Sequence, residues 1–356
     1  IKIKKQRKII NTKEDMEMKA LYYTEAGKGA ITEIPKPLCG DDQVIIEVKS
    51  ASICKGVEVG HANNGTGLST YPVIPGHEFA GVITEVGKNV TKLKVGDRVT
   101  ADNTELCDDC YFCKQDKPLY CENFGSIGHN INGGFAEYVV VKKEKIFKIP
   151  DDMDFNTACM TEPVACCIHA MDRLNVQYGE VVVVVGGGPN GQILSQMLCH
   201  SNANKVFLID KHPEKLALAE AHGAIGIQSD TSGELKHFKK IREMYPLGVD
   251  AVIDATGNAQ SIADDFKLLK TGGRLLQYAV THEGAIAPID TMEFFLGEFT
   301  YYATKAQTHG RALDAMISGD VDVKSLVTSE YSLDDYFIAL DKTINDRSQL
   351  KIVIHP

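Results

Sequence analysis

From Lys19 to about Val141 the chain runs in short apolar stretches broken by turn residues. Lys19-Ala20-Leu21-Tyr22-Tyr23, Gln43-Val44-Ile45-Ile46-Glu47-Val48, Gly81-Val82-Ile83-Thr84-Glu85-Val86 and Asp97-Arg98-Val99-Thr100 read as strands. Many short strands between Gly- and Pro-rich turns predict a small β-rich unit of barrel-like character. After Pro150 the pattern changes. Asn156 to Leu174 reads as one helical stretch, and Val181-Val182-Val183-Val184-Val185 is a fully apolar strand followed by an apolar helix, Gln192 to His200. Strand Lys205 to Ile209, helix Pro213 to His222 stopped by Gly223, strand Asp250 to Asp254, a helix to Leu269 and strand Gly272 to Tyr278 continue the alternation. Such alternation predicts a doubly wound parallel sheet, so the fold class is α/β with a separate β-rich domain.

The expected domains are residues 18–164 joined by 305–356, and an inserted domain at 165–304. The late segment carrying Lys305, Gln307, His309 and Arg311, with the terminal strand Lys351 to Ile354, is expected to return to the first domain. Residues 1–17 read as a tail or a processed presequence; Glu14, Asp15 and Glu17 speak against a transit peptide, which is acid-poor.

Composition narrows the function. At 356 residues two domains of ordinary size are expected, each able to bury a core. Apolar and charged fractions of 44% and 24% fit a globular protein, and no apolar run approaches a membrane span. A net charge of -10 opposes binding to a phosphate backbone, so neither nucleic acid nor membrane is expected as a partner. Ten cysteines without disulfide-framework spacing predict reduced, partly metal-bound thiols in a cytoplasmic setting.

Three groups of residues carry the candidate chemistry. The first is Ile74-Pro75-Gly76-His77-Glu78, where an imidazole and a carboxylate follow a Pro-Gly turn. Neighbours on a regular strand face opposite ways, so both can reach one ion only where the backbone is irregular. Cys54 upstream would complete three ligands with His77 and a carboxylate, Glu78 or Glu162, leaving the open position of a catalytic zinc site. Taken singly, Cys54 is a buried small side chain and Glu162 a helix-terminus acid. The second group is Cys107, Cys110 and Cys113, with Cys121 after seven further residues. Four thiolates in one loop close a tetrahedral cage, so that zinc should be structural. Asp108, Asp109 and Glu122 argue against the rival reading, a nucleic-acid zinc ribbon.

The third group is Gly186-Gly187-Gly188-Pro189-Asn190-Gly191, which is G-x-G-x-x-G between strand and helix. Gly186 makes the turn, Gly188 lets pyrophosphate approach and Gly191 admits close helix packing. Nineteen residues past Gly191 lies Asp210, positioned to accept from ribose hydroxyls and to favour NAD over NADP; Lys211 and His212 temper that preference.

These motifs, in this order, resemble the zinc-dependent medium-chain dehydrogenase/reductase superfamily from about Lys19 to Pro356; Gly133-Gly134-Phe135-Ala136-Glu137-Tyr138 is a further match. The resemblance implies a GroES-like catalytic domain, an inserted Rossmann domain and a homodimer or homotetramer. An acid at Glu162, where liver-type alcohol dehydrogenases carry cysteine, resembles the polyol, polyol-phosphate, butanediol and threonine dehydrogenase branches. One departure stands out: the family's Cys-Gly-Ser/Thr-Asp reads here Cys54-Lys55-Gly56-Val57-Glu58. With one residue inserted, Glu58 takes the place of the aspartate behind the zinc ligands, and Val57 that of the proton-relaying hydroxyl. His61 is a substitute relay by this reading, or else a surface histidine.

The expected reaction moves a hydride from a secondary alcohol, foremost a sugar alcohol or its phosphate, to NAD, with zinc acidifying the hydroxyl. The alternatives are an L-threonine or simple secondary-alcohol dehydrogenase, and a non-catalytic dinucleotide-binding protein of the same fold. Lys55, Lys305, His309 and Arg311 are candidate anion-binding groups if they reach the cleft, and otherwise solvated charges.

Overall fold

The computed structural model describes residues 17–230, 234–304 and 309–356. Residues 1–16, Lys305 and Gln307 lie outside the described residues. The chain forms two compact units. One takes the chain up to Cys159, then Glu330–Ile344 and Ile352–Pro356; the other takes Met160–Ser329 and Asn345–Lys351.

The first unit opens with the hairpin β1 (Glu17–Glu25) and β2 (Lys28–Pro35), then β3 (Gln43–Ser52), helix α1 (Lys55–Ala62), β4 (Phe79–Val86) and β5 (Arg98–Ala101). The lobe that follows holds β6 (Thr104–Glu105), the single turn α2 (Tyr111–Lys114) and β7 (Gly125–Ser126). Next come β8 (Tyr138–Lys142), β9 (Ile146–Lys148) and α3 (Phe155–Ala158). β3 is the central strand, antiparallel to both β4 and β8. Its alternate residues Val44, Ile46 and Val48 enter a core with Phe79, Ile83 and Val139, as the period of two requires.

Helix α1 was not foreseen in a unit read as β-rich. Gly56, Gly60, Val57 and Val59 are weak helix formers, so local propensity gives little sign of it. The helix is held at its start by the Glu58 carboxylate, which reaches back to accept from the Cys54 backbone N–H at 2.7 Å.

The second unit contains α4 (Thr161–Leu174), β10 (Val181–Val185), α5 (Pro189–Cys199), β11 (Lys205–Asp210), α6 (Pro213–Ala221), β12 (Ile225–Gln228) and α7 (Lys236–Met244). It continues with β13 (Val249–Asp254), α8 (Ala259–Asp265), β14 (Leu269–Gln277), α9 (Thr291–Leu296), β15 (Thr300–Ala303) and α10 (His309–Ser318); β16 (Val327–Ser332) then crosses the boundary at Ser329 and joins the sheet of β3 and β4. Six strands form a parallel sheet in the order β12-β11-β10-β13-β14-β15, the 3-2-1-4-5-6 order of a dinucleotide-binding sheet. β10 is central and buried along its whole length, which explains its uninterrupted valines.

The chain closes with α11 (Tyr336–Asn345) and β17 (Lys351–His355). Tyr336, Ala339 and Leu340, at i, i+3 and i+4, give α11 a buried face in the first unit's core. β17 runs antiparallel to β3, Val353 opposite Ser52 and Ile354 opposite Ala51, so the terminal strand returns to the first unit. The segment before it does not return as early as expected. α10 packs against α4 within the second unit, and Arg311 is spent on Asp172 at 2.6 and 3.0 Å rather than held for an anion. The helical stretch Asn156 to Leu174 is likewise two helices: Asp154 caps α3 by accepting from Thr157 N–H, and the second unit begins at Met160, just ahead of α4.

Candidate active site

The turn before β4 is fixed by backbone close approach. Gly76 has φ +95°, and a Cβ there would stand 2.7 Å from the Phe135 backbone nitrogen. Gly133 N–H donates to Ile74 O at 2.7 Å, Gly134 N–H to Gly76 O at 2.7 Å and Phe135 N–H to Pro75 O at 3.0 Å. The Gly133-Gly134-Phe135 segment is therefore the clamp on the turn that delivers His77 and Glu78.

Cys54, just past β3, meets them. Its thiol, a His77 ring nitrogen and a Glu78 carboxylate oxygen lie within 4.8 Å of one another. His77 and Glu78 are buried at 3% and 1% exposure and Cys54 is half-buried. His77 Nε2 stands 3.9 Å from Glu78 Oε1, and Nδ1 stands 3.8 Å from Glu58 Oε1 on the opposite side of the ring. Ser52 Oγ donates to Glu78 Oε2. A thiol, an imidazole and two carboxylates gathered at this buried turn form a set that a divalent cation would neutralise, and the Cys54 sulfur, His77 nitrogen and Glu78 oxygen are donor types that zinc accepts. The donor set fits that metal with a coordination position left for water or substrate. Glu58 stands 3.8 Å behind His77, on the side of the ring that faces away from Glu78.

Glu162 is the second residue of α4, in the second unit, and is buried at 8% exposure. Its Oε1 accepts from Cys166 Sγ at 3.4 Å, one helical turn on.

His129 was missed by the sequence reading. Its ring packs 4.8 Å, centroid to centroid, from that of His77. Burial, reinforced by His77 and His61, pushes its pKa down to about 2, so it is a neutral imidazole. Its Nδ1 is buried and has no hydrogen-bond partner among the described residues. Gly128 places it: with φ +84°, its α-carbon packs so closely on the next segment that a Cβ would be 2.6 Å from the His77 backbone nitrogen. The only sequence signal was a Gly-His pair ahead of the Gly133 turn, and nothing local says which histidine it will meet.

His61, on α1, is not at the surface. Its Nε2 lies 3.2 Å from Gly128 O and its Nδ1 3.1 Å from the Tyr71 hydroxyl. A carbonyl can only accept, so Nε2 carries the proton and Nδ1 accepts from Tyr71. Both ring nitrogens are thus engaged, Nδ1 by a hydroxyl and Nε2 by a carbonyl.

The four-cysteine lobe is self-contained. The thiols of Cys107, Cys110, Cys113 and Cys121 lie within 4.8 Å of one another, with Cys121 and Cys107 Sγ atoms 3.4 Å apart. Backbone N–H groups of Asp109 and Cys110 pull the Cys107 thiol down to about 6, while burial and its thiol neighbours push Cys113 up to about 12. Asp108 takes φ +56° to turn the chain inward. Tyr111 and Tyr120 remain exposed, so the lobe has little core. Four sulfurs at these separations fit a closed tetrahedral site.

In the second unit the glycine loop follows β10. Gly186 has φ +104°, and a Cβ on Gly191 would fall 1.8 Å from Gly186 O, so the helix can pack on the turn only with glycine there. A Cβ on Gly188 would meet nothing within 4 Å, which leaves open space before the helix N-terminus. α5 starts at Pro189, three residues earlier than the pattern suggested, because proline suits the first helical position. Asn190 follows it. Asp210, at the end of β11, accepts from Gly187 N–H at 2.7 Å and from His212 N–H at 2.9 Å; Lys211 lies between. Backbone N–H groups at a helix start and an acid at the neighbouring strand end are the parts of a dinucleotide site.

Residues 40–151 match the alcohol dehydrogenase GroES-like domain, and residues 189–316 match the zinc-binding dehydrogenase family. Over 344 residues the chain is 33% identical to D-arabinitol dehydrogenase 1 of Uromyces fabae, covering 96% of this chain and 97% of that one. The chain belongs to the zinc-binding dehydrogenase family. This dehydrogenase is also 31% identical over 332 residues to D-arabitol-phosphate dehydrogenase of Enterococcus avium, covering 91% and 93% of the two chains. Its fold matches that of 2R,3R-butanediol dehydrogenase from Bacillus subtilis with a TM-score of 0.86 and 26% identity, covering 95% of this chain and 99% of that one. The two units are thus a GroES-like catalytic domain and a Rossmann domain.

Proposed function

We propose that this dehydrogenase oxidises a secondary alcohol of a sugar alcohol or polyol phosphate to the ketose, with NAD as hydride acceptor. The observation that carries the proposal is the buried Cys54, His77 and Glu78 set, with donors within 4.8 Å of one another. Two relatives named for arabinitol and arabitol phosphate support the substrate class. Bound zinc supplies a Lewis acid that makes a hydroxyl more acidic, and bound NAD supplies a hydride acceptor.

The chain's own residues do the rest. Cys54, His77 and Glu78 would hold the metal; Glu58 stands behind His77, and Ser52 holds Glu78. Gly186 shapes the turn, Pro189 opens the helix and Gly191 lets it pack closely, so that the free backbone N–H groups around Gly188 and Asn190 would bind the pyrophosphate, with Asp210 and Lys211 toward the adenosine ribose. Burial of His77 and Glu78 excludes water from the metal side. Val57 stands in place of a hydroxyl residue, and His61 is hydrogen-bonded to Tyr71 and the Gly128 carbonyl. Cys107, Cys110, Cys113 and Cys121 hold a second, structural zinc.

The protein acts as a homodimer or homotetramer in the cytoplasm. β15 is the outer strand of its sheet, and Met292, Phe295 and Leu296 on the preceding helix are exposed. Among the described residues no helix is long and apolar enough to cross a membrane, and no cysteines pair as disulfides. Native mass measurement checks the assembly.

The test of function is product identity. Incubated with NAD and a pentitol, hexitol or polyol phosphate, the zinc-replete enzyme should give NADH and the matching ketose in equal amounts. Oxidation of L-threonine or butanediol alone would favour the alternative alcohol dehydrogenase, and no product with NAD still bound would favour a non-catalytic dinucleotide-binding role.

A further inference from the structure

Two carboxyl groups are buried together in the second unit, apart from the metal and glycine-loop residues. Asp254 ends β13 and Asp265 ends α8, and both have 0% exposure. Two carboxylates in one dry site do not both ionise, because desolvation and mutual repulsion each oppose the second charge. Hydrogen bonding decides which one keeps the proton. Asp254 accepts from Thr256 N–H at 3.1 Å, from Thr256 Oγ1 at 2.9 Å and from Gly257 N–H at 3.3 Å, donors that favour a carboxylate. Neither oxygen of Asp265 has an N–H or hydroxyl donor among the described residues, and its hydrogen-bonding neighbour is Asp254 itself. Burial above all, then Asp254, raises Asp265 well above the usual carboxylate range; burial also raises Asp254, but the bonds from Thr256 oppose it. The other ionisable groups nearby are Asp264, which is paired with Lys267 at 2.6 Å, and Tyr301, whose pKa burial and Asp254 raise.

What the pair grips is the loop between β13 and α8. Ala255 N–H donates to Val185 O at 2.8 Å, and Tyr278 N–H to Asp254 O at 2.8 Å, so the loop is tied to both flanking strands. It is also the wall behind the first glycine turn. A Cβ on Gly186 would meet Ala255 C and O at 3.1 Å and Thr256 Cγ2 at 3.2 Å.

We infer that Asp265 is a positioning residue that acts as a neutral acid, donating its proton to the Asp254 carboxylate so that Thr256 and Gly257 stay seated against the dinucleotide turn at Gly186. The inference rests on reading that turn as the cofactor site. Asp265 itself touches no cofactor; it acts through Asp254 and the loop.

Infrared spectroscopy of the cofactor-free protein near neutral pH tests the proton directly. The C=O stretch of a protonated carboxylic acid should appear in the wild type and vanish in Asp265→Asn; identical spectra would overturn the inference whether or not NAD binds. NADH fluorescence titration tests the positioning. Asp265→Asn, whose amide can donate to Asp254 in the same shape, should keep the NADH Kd within about twofold. Asp265→Leu, which leaves Asp254 without that donor, should weaken it about tenfold or more. Equal loss in both variants, or in neither, would overturn the positioning role. Should the wild type bind no NADH, the cofactor reading fails and the infrared result still decides the proton.

Discussion

The proposed metal ligands Cys54 and His77 lie in the first unit and the proposed dinucleotide loop in the second, so the two functions can be separated by substitution. Cys54→Ala or His77→Ala should abolish turnover and empty the Cys54 metal site while NADH binding stays nearly intact; turnover retained in either variant would contradict the assignment. His129→Ala removes the ring packed against His77, and zinc should then leave this site about 10- to 100-fold more readily in chelator competition. These residues differ in how far the sequence shows them. His77 and Glu78 are legible because a Pro-Gly turn is the local device that lets adjacent residues face one ion. His129 is not, because its place depends on Gly128 abutting the His77 backbone, a contact between segments far apart in the chain. His61 is misleading for the same reason: its sequence neighbours give no hint of Tyr71 or the Gly128 carbonyl.

Among the elements, the strands and the strand-turn-helix of the glycine loop follow directly from the apolar pattern, since β10 is central and buried on both faces. Helix α1 does not, because glycine and valine conceal it and its stability comes from Glu58 and tertiary packing. The metal lobe is legible only through its cysteine spacing. Cys113→Ser should therefore cost the structural zinc and make the lobe between Cys107 and Cys121 susceptible to protease, with the GroES-like core still folded. The Asp254 and Asp265 pair adds a pH dependence of definite sign. A carboxyl whose folded-state pKa is raised costs no stability below its unfolded value of about 4, and a growing amount as pH climbs from there toward the raised value. Thermal melts should thus show Asp265→Asn more stable than the wild type near neutral pH, with the gap closing toward pH about 4.

At the scale of the molecule, two units and a returning C-terminal strand were expected, and β17 on β3 is that return. The end of the second unit was placed too early because α10 has no marker in sequence; its allegiance is set by packing against α4. Family membership settles the kind of chemistry, and the substrate separates the proposed reaction from its alternatives. The most direct measurement is kcat/KM, followed by NADH absorbance on zinc-replete enzyme, across pentitols, hexitols, their phosphates, vicinal diols and L-threonine, with Cys54→Ala in parallel. The account predicts that a polyol or polyol phosphate ranks first and that the variant is silent. A panel led by L-threonine or a simple diol, or silence of the wild type with NAD bound, would contradict it.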